Sequence, residues 1–297
     1  MTDPVTSDPP SGVAELTEAL RSGGYLADRG LATAMYVALT LGQPLLLEGE
    51  VGVGKTELAK VLATISGRRL VRLQCYEGID TNQALYEWDY ARQMLAIRAM
   101  SEHQVTDDAA VDKLFSPKFL LERPLLDAVR TGDRCVLLID EIDRADDEFE
   151  AFLLELLSDF QITIPEVGTI SAESRPVVIL TSNRTRELHD ALKRRCLYHW
   201  IGYPTVEREV EIVRVRAPDV PERLADKVVA AVHRLRELDL AKPPGVAETL
   251  DWVASLEVIG ATDLDATSAE DTLGSVVKDR DDLEMVRDDL ADVIGDG

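Results

Sequence analysis

One stretch of the chain has residue types spaced for phosphate chemistry: Gly49-Glu50-Val51-Gly52-Val53-Gly54-Lys55-Thr56, which fits G-x-x-x-x-G-K-[ST]. Gly49, Gly52 and Gly54 let the backbone bend so that successive N–H groups aim at a single anion. Lys55 supplies a cation for β and γ phosphates, and Thr56 supplies a hydroxyl for Mg²⁺. Glu57 opens the helix that follows, whose positive end faces the same anion. The chemistry these residues imply is the binding of a nucleotide's phosphates with Mg²⁺.

A second group lies about 85 residues further on, where the apolar run Cys135-Val136-Leu137-Leu138-Ile139 stops at Asp140-Glu141. Asp140 is suited to hold Mg²⁺, directly or through water, and Glu141 to polarise an attacking water. Asn183 follows another apolar run, Val177–Leu180. Its amide suits either a hydrogen bond to that water or the γ phosphate, or the cap of the next helix. Lys193-Arg194-Arg195 ends a predicted helix. Cations are favoured there by the helix dipole, and an arginine at such a place also suits a finger reaching a neighbouring subunit's nucleotide.

These residues need strands and helices to carry them. Leu45–Glu48 reads as a buried strand and Glu57–Ser66 as a helix, the context a phosphate-binding loop requires. Further strands are predicted at Leu70–Gln74, Cys135–Ile139, Val177–Leu180 and Leu197–Ile201, with a hairpin in Gln161–Ala172 around Pro165-Glu166-Val167-Gly168. Helices are predicted over Val13 to about Leu41 with a break at Ser22-Gly23-Gly24, and over Lys118–Thr131, Phe149–Phe160 and Glu187–Arg195. His103–Lys113 reads as a polar loop or frayed helix, and Tyr86, Trp88 and Tyr90 alternate as an inserted strand or hairpin, packed in the core or protruding toward a partner. After Pro204 the pattern is helical: Glu207–Arg216, Glu222–Glu237, Val246–Glu257 and an acidic helix near Asp271–Val293. The expected architecture is a disordered leader (1–12), an α/β nucleotide-binding domain (13–203) with a five-stranded parallel sheet flanked by helices, and a small helical lid (204–297).

Composition narrows the partners. The 297 residues carry a formal charge of −23, which argues against nucleic acid and acidic membrane surfaces, since phosphate contacts need clustered Lys and Arg. The acid is spread along the chain, Asp-rich and Lys-poor, as molar salt favours; there the Debye length shrinks to about 3 Å and self-repulsion is screened. Cys75, Cys135 and Cys196 have apolar neighbours and no metal-ligand spacing, so they read as reduced core thiols inside strands. The polar, Pro-rich start and the lack of an apolar run of ~20 residues point to a cytoplasmic protein with no membrane partner.

The order GEVGVGKT, CVLLIDEIDRAD, LTSN, ALKRRC and a helical tail resembles an AAA+ ATPase. DEIDRAD is similar to the DEINRA signature of the MoxR family. RLQCYEGID, ALYEWDYARQ, FEAFLLELLSDFQITIPEVGTI and TSNRTRELHDALKRRCLYHWI further resemble its CoxD-like branch, over roughly residues 24–255. The resemblance implies a P-loop AAA+ core and a lid, Asn183 as first sensor, Arg195 (or else Arg194) as the finger, and Arg144 at a subunit interface. It also implies a homo-hexameric ring, a von Willebrand A domain partner, and a client metalloenzyme of the carbon-monoxide-dehydrogenase type that the ATPase remodels or matures. The sequence departs from the wider pattern at Pro243-Pro244-Gly245-Val246-Ala247, where many AAA+ chains carry a second-sensor Arg. Two other readings follow from the same residues: a nucleotide-gated scaffold with little turnover, and a nucleic-acid translocase, which the charge disfavours. No N-K-x-D motif follows the core strands, which argues against a GTPase.

Overall fold

Helix formation begins where apolar residues recur at helical spacing. In the computed structural model, which describes residues 10–102, 113–165 and 167–295, α1 spans Val13–Ser22 and α2 Arg29–Leu41. The break between them falls at the glycine pair, as the sequence predicts. Asp28 caps α2 by accepting the Leu31 N–H at 2.7 Å, and Gly42 ends it with φ +62°, a conformation glycine adopts without a Cβ clash.

Strand β1 (Leu45–Gly49) is buried along its whole length and leads through the glycine loop into α3 (Lys55–Ile65). Then come β2 (Arg69–Gln74), the single turn α4 (Thr81–Ala84), β3 (Tyr86–Trp88) and α5 (Tyr90–Glu102). After 3₁₀ turns at Lys113–Phe115 and Pro117–Phe119 the chain forms β4 (Leu120–Glu122), α6 (Pro124–Thr131), β5 (Cys135–Asp140) and α7 (Asp147–Asp159). The hairpin β6 (Gln161–Ile164) and β7 (Gly168–Ser171) precedes β8 (Val177–Ser182), α8 (Asp190–Arg195) and β9 (Leu197–Ile201). The C-terminal helices are α9 (Val206–Arg216), α10 (Glu222–Glu237), α11 (Val246–Val258), α12 (Ala266–Thr272), α13 (Arg280–Asp288) and α14 (Leu290–Ile294).

The main sheet has five strands in the order β2-β5-β8-β1-β9. Its parallel register aligns Leu46 with Leu180, Leu180 with Ile139, and Gln74 with Asp140, so β1, β2, β5 and β8 end on the same edge. That is the edge where open α/β sheets bind ligands. The expected five-stranded parallel sheet flanked by helices, with helices following it, is the fold observed.

Two compact units divide the chain. Of the described residues, one comprises those up to Ala19, Ala27–Glu48 and those between Ala59 and His199; the other comprises Leu20–Leu26, Gly49–Leu58 and those from Trp200 onward. The first unit's core is the sheet with Phe149, Leu153 and Leu125. The second unit's core gathers Val228, Val232, Leu256 and Trp252, whose indole N–H donates to Thr272 Oγ1 at 2.8 Å. No helix among the described residues is long and apolar enough to cross a membrane.

Several sequence expectations change here. The helix expected over Lys118–Thr131 is instead strand β4 followed by a helix that starts at Pro124. Proline suits the first helical turn, where its missing N–H costs nothing, and Leu120–Glu122 is drawn into antiparallel pairing with Tyr86–Trp88. The long acidic helix expected near Asp271–Val293 is divided into α12, a 3₁₀ turn at Leu273–Ser275, α13 and α14. Asp279 starts a new helix there by accepting the Asp281 N–H. The helix expected from Glu187 begins only at Asp190. Trp88 is core, edge-on to Phe115 with centroids 5.4 Å apart, whereas Tyr90 is exposed on α5. Cys135 opens β5, but Cys75 and Cys196 flank strands rather than lying in them. Residues 1–9 of the expected leader, residues 103–112 of the polar stretch and Glu166 of the hairpin lie outside the described residues.

Candidate active site

The glycine loop belongs to the second unit, and glycine is required there by close backbone approach. A Cβ on Gly49 would lie 2.0 Å from the Ile201 carbonyl oxygen. Gly52 (φ +76°) and Gly54 (φ +94°) take left-handed conformations, and a Cβ on Gly52 would meet Glu248 Oε2 at 2.8 Å. Lys55 is 6% exposed, and its ammonium donates to the carbonyls of Gly49 (2.8 Å) and Glu50 (2.6 Å). The loop thus folds around its own lysine. Glu50 and Val51 are exposed, while Val53, Thr56 and Glu57 are half-buried. Glu57 pairs with Arg216 at 2.9 Å.

The stretch without a second-sensor Arg meets this loop through its backbone. The Ala247 N–H at the start of α11 donates to the Gly52 carbonyl at 3.1 Å, and a Cβ on Gly245 would lie 2.5 Å from Val51 O. Gly245 is fixed from behind. Arg236 donates to the Pro244 carbonyl (2.7 Å) and forks onto Glu209 (2.6 and 2.8 Å), which also accepts from Thr249 (2.5 Å). Glu209 is fully buried, so its charge needs this forked partner.

The carboxylates belong to the first unit. Asp140, 2% exposed, ends β5. Thr181 on β8 donates its hydroxyl to Asp140 Oδ1 (2.6 Å) and accepts the Glu141 N–H (2.9 Å). Glu141 has φ +55°, an unfavourable left-handed conformation for a residue with a side chain, and it turns the chain sharply after Asp140. Its carboxylate pairs with Arg144 Nε at 2.8 Å, so Arg144 contacts Glu141 within its own chain.

Asn183 is half-buried just beyond β8. The segment after it is pinned to the start of α7: Thr185 donates twice to Asp143 Oδ2 (2.9 and 2.7 Å), and Arg186 donates to the Ala145 carbonyl (2.9 Å from Nε) and pairs with Glu150. Glu150, fully buried, also accepts the His189 N–H at 2.9 Å. Arg194 and Arg195 are both exposed on the last turn of α8.

The donors fit a magnesium–nucleotide complex. Taken unit by unit, the first offers the carboxylate oxygens of Asp140 and the second the hydroxyl of Thr56, each a hard donor of the kind Mg²⁺ takes beside substrate phosphates. No group of three His, Cys, Asp or Glu able to hold a metal without a nucleotide occurs among the described residues.

Sequence reasoning missed Thr181, Arg72, Asp143, Arg186, Glu209 and Arg236. Thr181 lies inside LTSN, where position alone does not reveal that its hydroxyl serves Asp140 at the end of another strand and Glu141 just beyond it. The others become legible only once strand register and helix packing are known.

A glycine loop between a parallel strand and a helix, with an Asp-Glu pair closing another strand of the same sheet, defines a P-loop ATPase. Residues 44–196 match the AAA domain (dynein-related subfamily), and the chain belongs to that family. Among related proteins, the gas vesicle ATPase GvpN of Haloferax mediterranei is 28% identical over 277 residues, covering 87% of this chain and 75% of that protein. YehL of Escherichia coli (strain K12) is 29% identical over 217 residues, 67% of this chain; the alignment spans only 54% of YehL. The RuvB Holliday junction branch migration motor of Thermotoga maritima superposes with a TM-score of 0.46 at 19% identity, covering 90% of this chain and 72% of that one. The assignment rests on the family match and the sheet order.

Proposed function

We propose that this chain is a Mg²⁺-dependent ATPase whose cycle of binding and hydrolysis remodels a partner protein. In this reading Gly49, Glu50, Val51, Gly52, Val53, Gly54, Lys55, Thr56 and Glu57 hold the nucleotide. Thr56 and Asp140 hold the metal, Glu141 activates water and Asn183 orients it. The observation that carries the reading is the Thr181 hydroxyl, which fixes both members of the Asp140-Glu141 pair in a chain belonging to the AAA family.

A ring is part of the proposal. Two exposed arginines, Arg194 and Arg195, end α8 with their charges toward solvent, as a finger acting on a neighbouring subunit requires. In related NTPases such a finger is worth roughly 10³–10⁵ in rate. The lid is residues 204–297, following the nucleotide-binding domain 13–203. The proposed object is a client metalloenzyme, reached with a von Willebrand A domain partner in the cytoplasm, on the strength of the MoxR and CoxD-like resemblance. Similarity to a protein named as an ATPase supports the enzymatic part.

The test is ATP hydrolysis measured against protein concentration in molar KCl, with light scattering on the same samples. Specific activity rising as a ring forms is the expected result. Arg195→Ala should bind ATP yet hydrolyse little, and mixing it with Glu141→Gln subunits should restore part of the rate. A monomer hydrolysing at full rate overturns the ring reading. A ring without turnover favours the nucleotide-gated scaffold, a reading supported by the lack of an arginine in Pro243-Pro244-Gly245-Val246-Ala247.

A further inference from the structure

We infer that Arg72 is a positioning residue for the metal carboxylate: a built-in counter-cation on Asp140 that weakens the grip of a divalent ion and sets how strongly nucleotide binding depends on it. The inference rests on the reading of Asp140 as a metal ligand.

Arg72 lies on β2, two residues before Gln74, which is the register partner of Asp140. Its guanidinium places Nε 3.0 Å and Nη2 2.6 Å from Asp140 Oδ2, and Nη2 also bonds Gln74 Oε1. Oδ1 takes the Thr181 hydroxyl. Both oxygens of this carboxylate are therefore addressed, one by a hydroxyl and the other by a full positive charge.

The two partners differ in their freedom. The Asp140 side chain is 3% exposed and the Arg72 side chain 48% exposed. Asp140 is shut away from water, whereas the half-exposed guanidinium of Arg72 is open to it. A divalent ion coordinated to Asp140 meets a guanidinium on the same carboxylate, so the two cations repel. Without the ion, Arg72 neutralises the buried charge and keeps the carboxylate oriented. The prediction is opposite in sign to that for an ordinary supporting residue: removing Arg72 should tighten metal binding.

The readout is the ratio of affinities for a fluorescent ATP analogue with Mg²⁺ and with EDTA, measured on the full chain. This ratio reports the thermodynamic linkage between metal and nucleotide. Arg72→Gln should raise it about tenfold, the low end of what a charge-assisted bond is worth. Arg72→Lys, which keeps the cation, should leave it near the wild-type value. A ratio unchanged or lowered in Arg72→Gln overturns the inference while leaving the ATPase reading intact. Wild-type protein that binds no nucleotide, or binds it equally with and without Mg²⁺, overturns the ATPase reading and this inference with it. If Arg72→Gln does not fold, Arg72→Met takes its place with the same expectation. If neither folds, Arg72 is a structural counter-ion and the inference falls.

Discussion

The hydroxyl of Thr181 donates to Asp140 Oδ1 at 2.6 Å from the neighbouring strand, at a position 1% exposed to solvent. The same hydroxyl oxygen accepts the Glu141 N–H. One side chain on β8 thus fixes both residues that close β5. Thr181→Val keeps the shape and removes the hydroxyl, so that the buried carboxylate and the Glu141 N–H each lose one hydrogen bond. Removing one partner from a buried polar group costs about 1–3 kcal/mol, so urea denaturation should show a loss of roughly that size. Turnover should fall as well, and Thr181→Ser should recover most of both.

Lys55 and Glu141 should separate binding from chemistry. Lys55→Ala should lose ATP binding by calorimetry, because the loop loses the cation it folds around. Glu141→Gln should bind ATP as before and lose turnover by at least about 100-fold, the usual worth of a positioned general base. Loss of binding in Glu141→Gln would count against its role as the water-activating residue.

Gly245→Ala is a steric test of the backbone contact with the phosphate-binding loop. Gly245 has φ −87°, so alanine carries no backbone penalty, yet its Cβ would lie 2.5 Å from Val51 O and 2.7 Å from Gly52 Cα. The loop must shift, and ATP affinity should drop severalfold. Gly274→Ala, with nothing within 4 Å, should leave affinity unchanged.

Arg236 and Glu209 form a buried ion pair within the C-terminal helices, with side chains 8% and 0% exposed. Breaking such a pair from one side leaves an uncompensated charge and costs about 3–5 kcal/mol. Arg236→Ala should lower the denaturation midpoint by a corresponding amount. Replacing both residues by apolar ones of similar volume should cost much less, and a double-mutant cycle measures the difference.

Burial pushes the thiols of Cys75 and Cys196 up to about 12 and that of Cys135 up to about 11. The native protein should therefore react slowly with maleimides near neutral pH. In the unfolded chain these thiols ionise near pH ~8.5, so from there upward the native state holds more protons than the unfolded one. Their contribution to stability is intact below that pH and is lost progressively as pH rises toward 11–12. Urea midpoints measured between neutral pH and strongly alkaline pH should fall, and replacing the three cysteines with alanine should flatten the slope.

The phosphate-binding loop, the Asp140-Glu141 pair and the strands carrying them are local facts. Each is a short apolar run beside a few polar residues, and glycine spacing and hydrophobic periodicity encode them directly. The sequence by itself therefore determined the fold class and the residue types available for phosphate and metal. It could not determine what depends on register. Arg72 reaches Asp140 because β2 pairs with β5, and Thr181 reaches it because β8 pairs with β5 on the other side. Leu120–Glu122 is a strand only because Tyr86–Trp88 lies opposite, a pairing that overrides a local pattern read as helix. The backbone of Gly245 meets the phosphate-binding loop because the Arg236–Glu209 network holds it there. Contacts between residues distant in sequence are set by the geometry of the assembled sheet and helices, and that geometry decided which side chains surround the carboxylates and the loop.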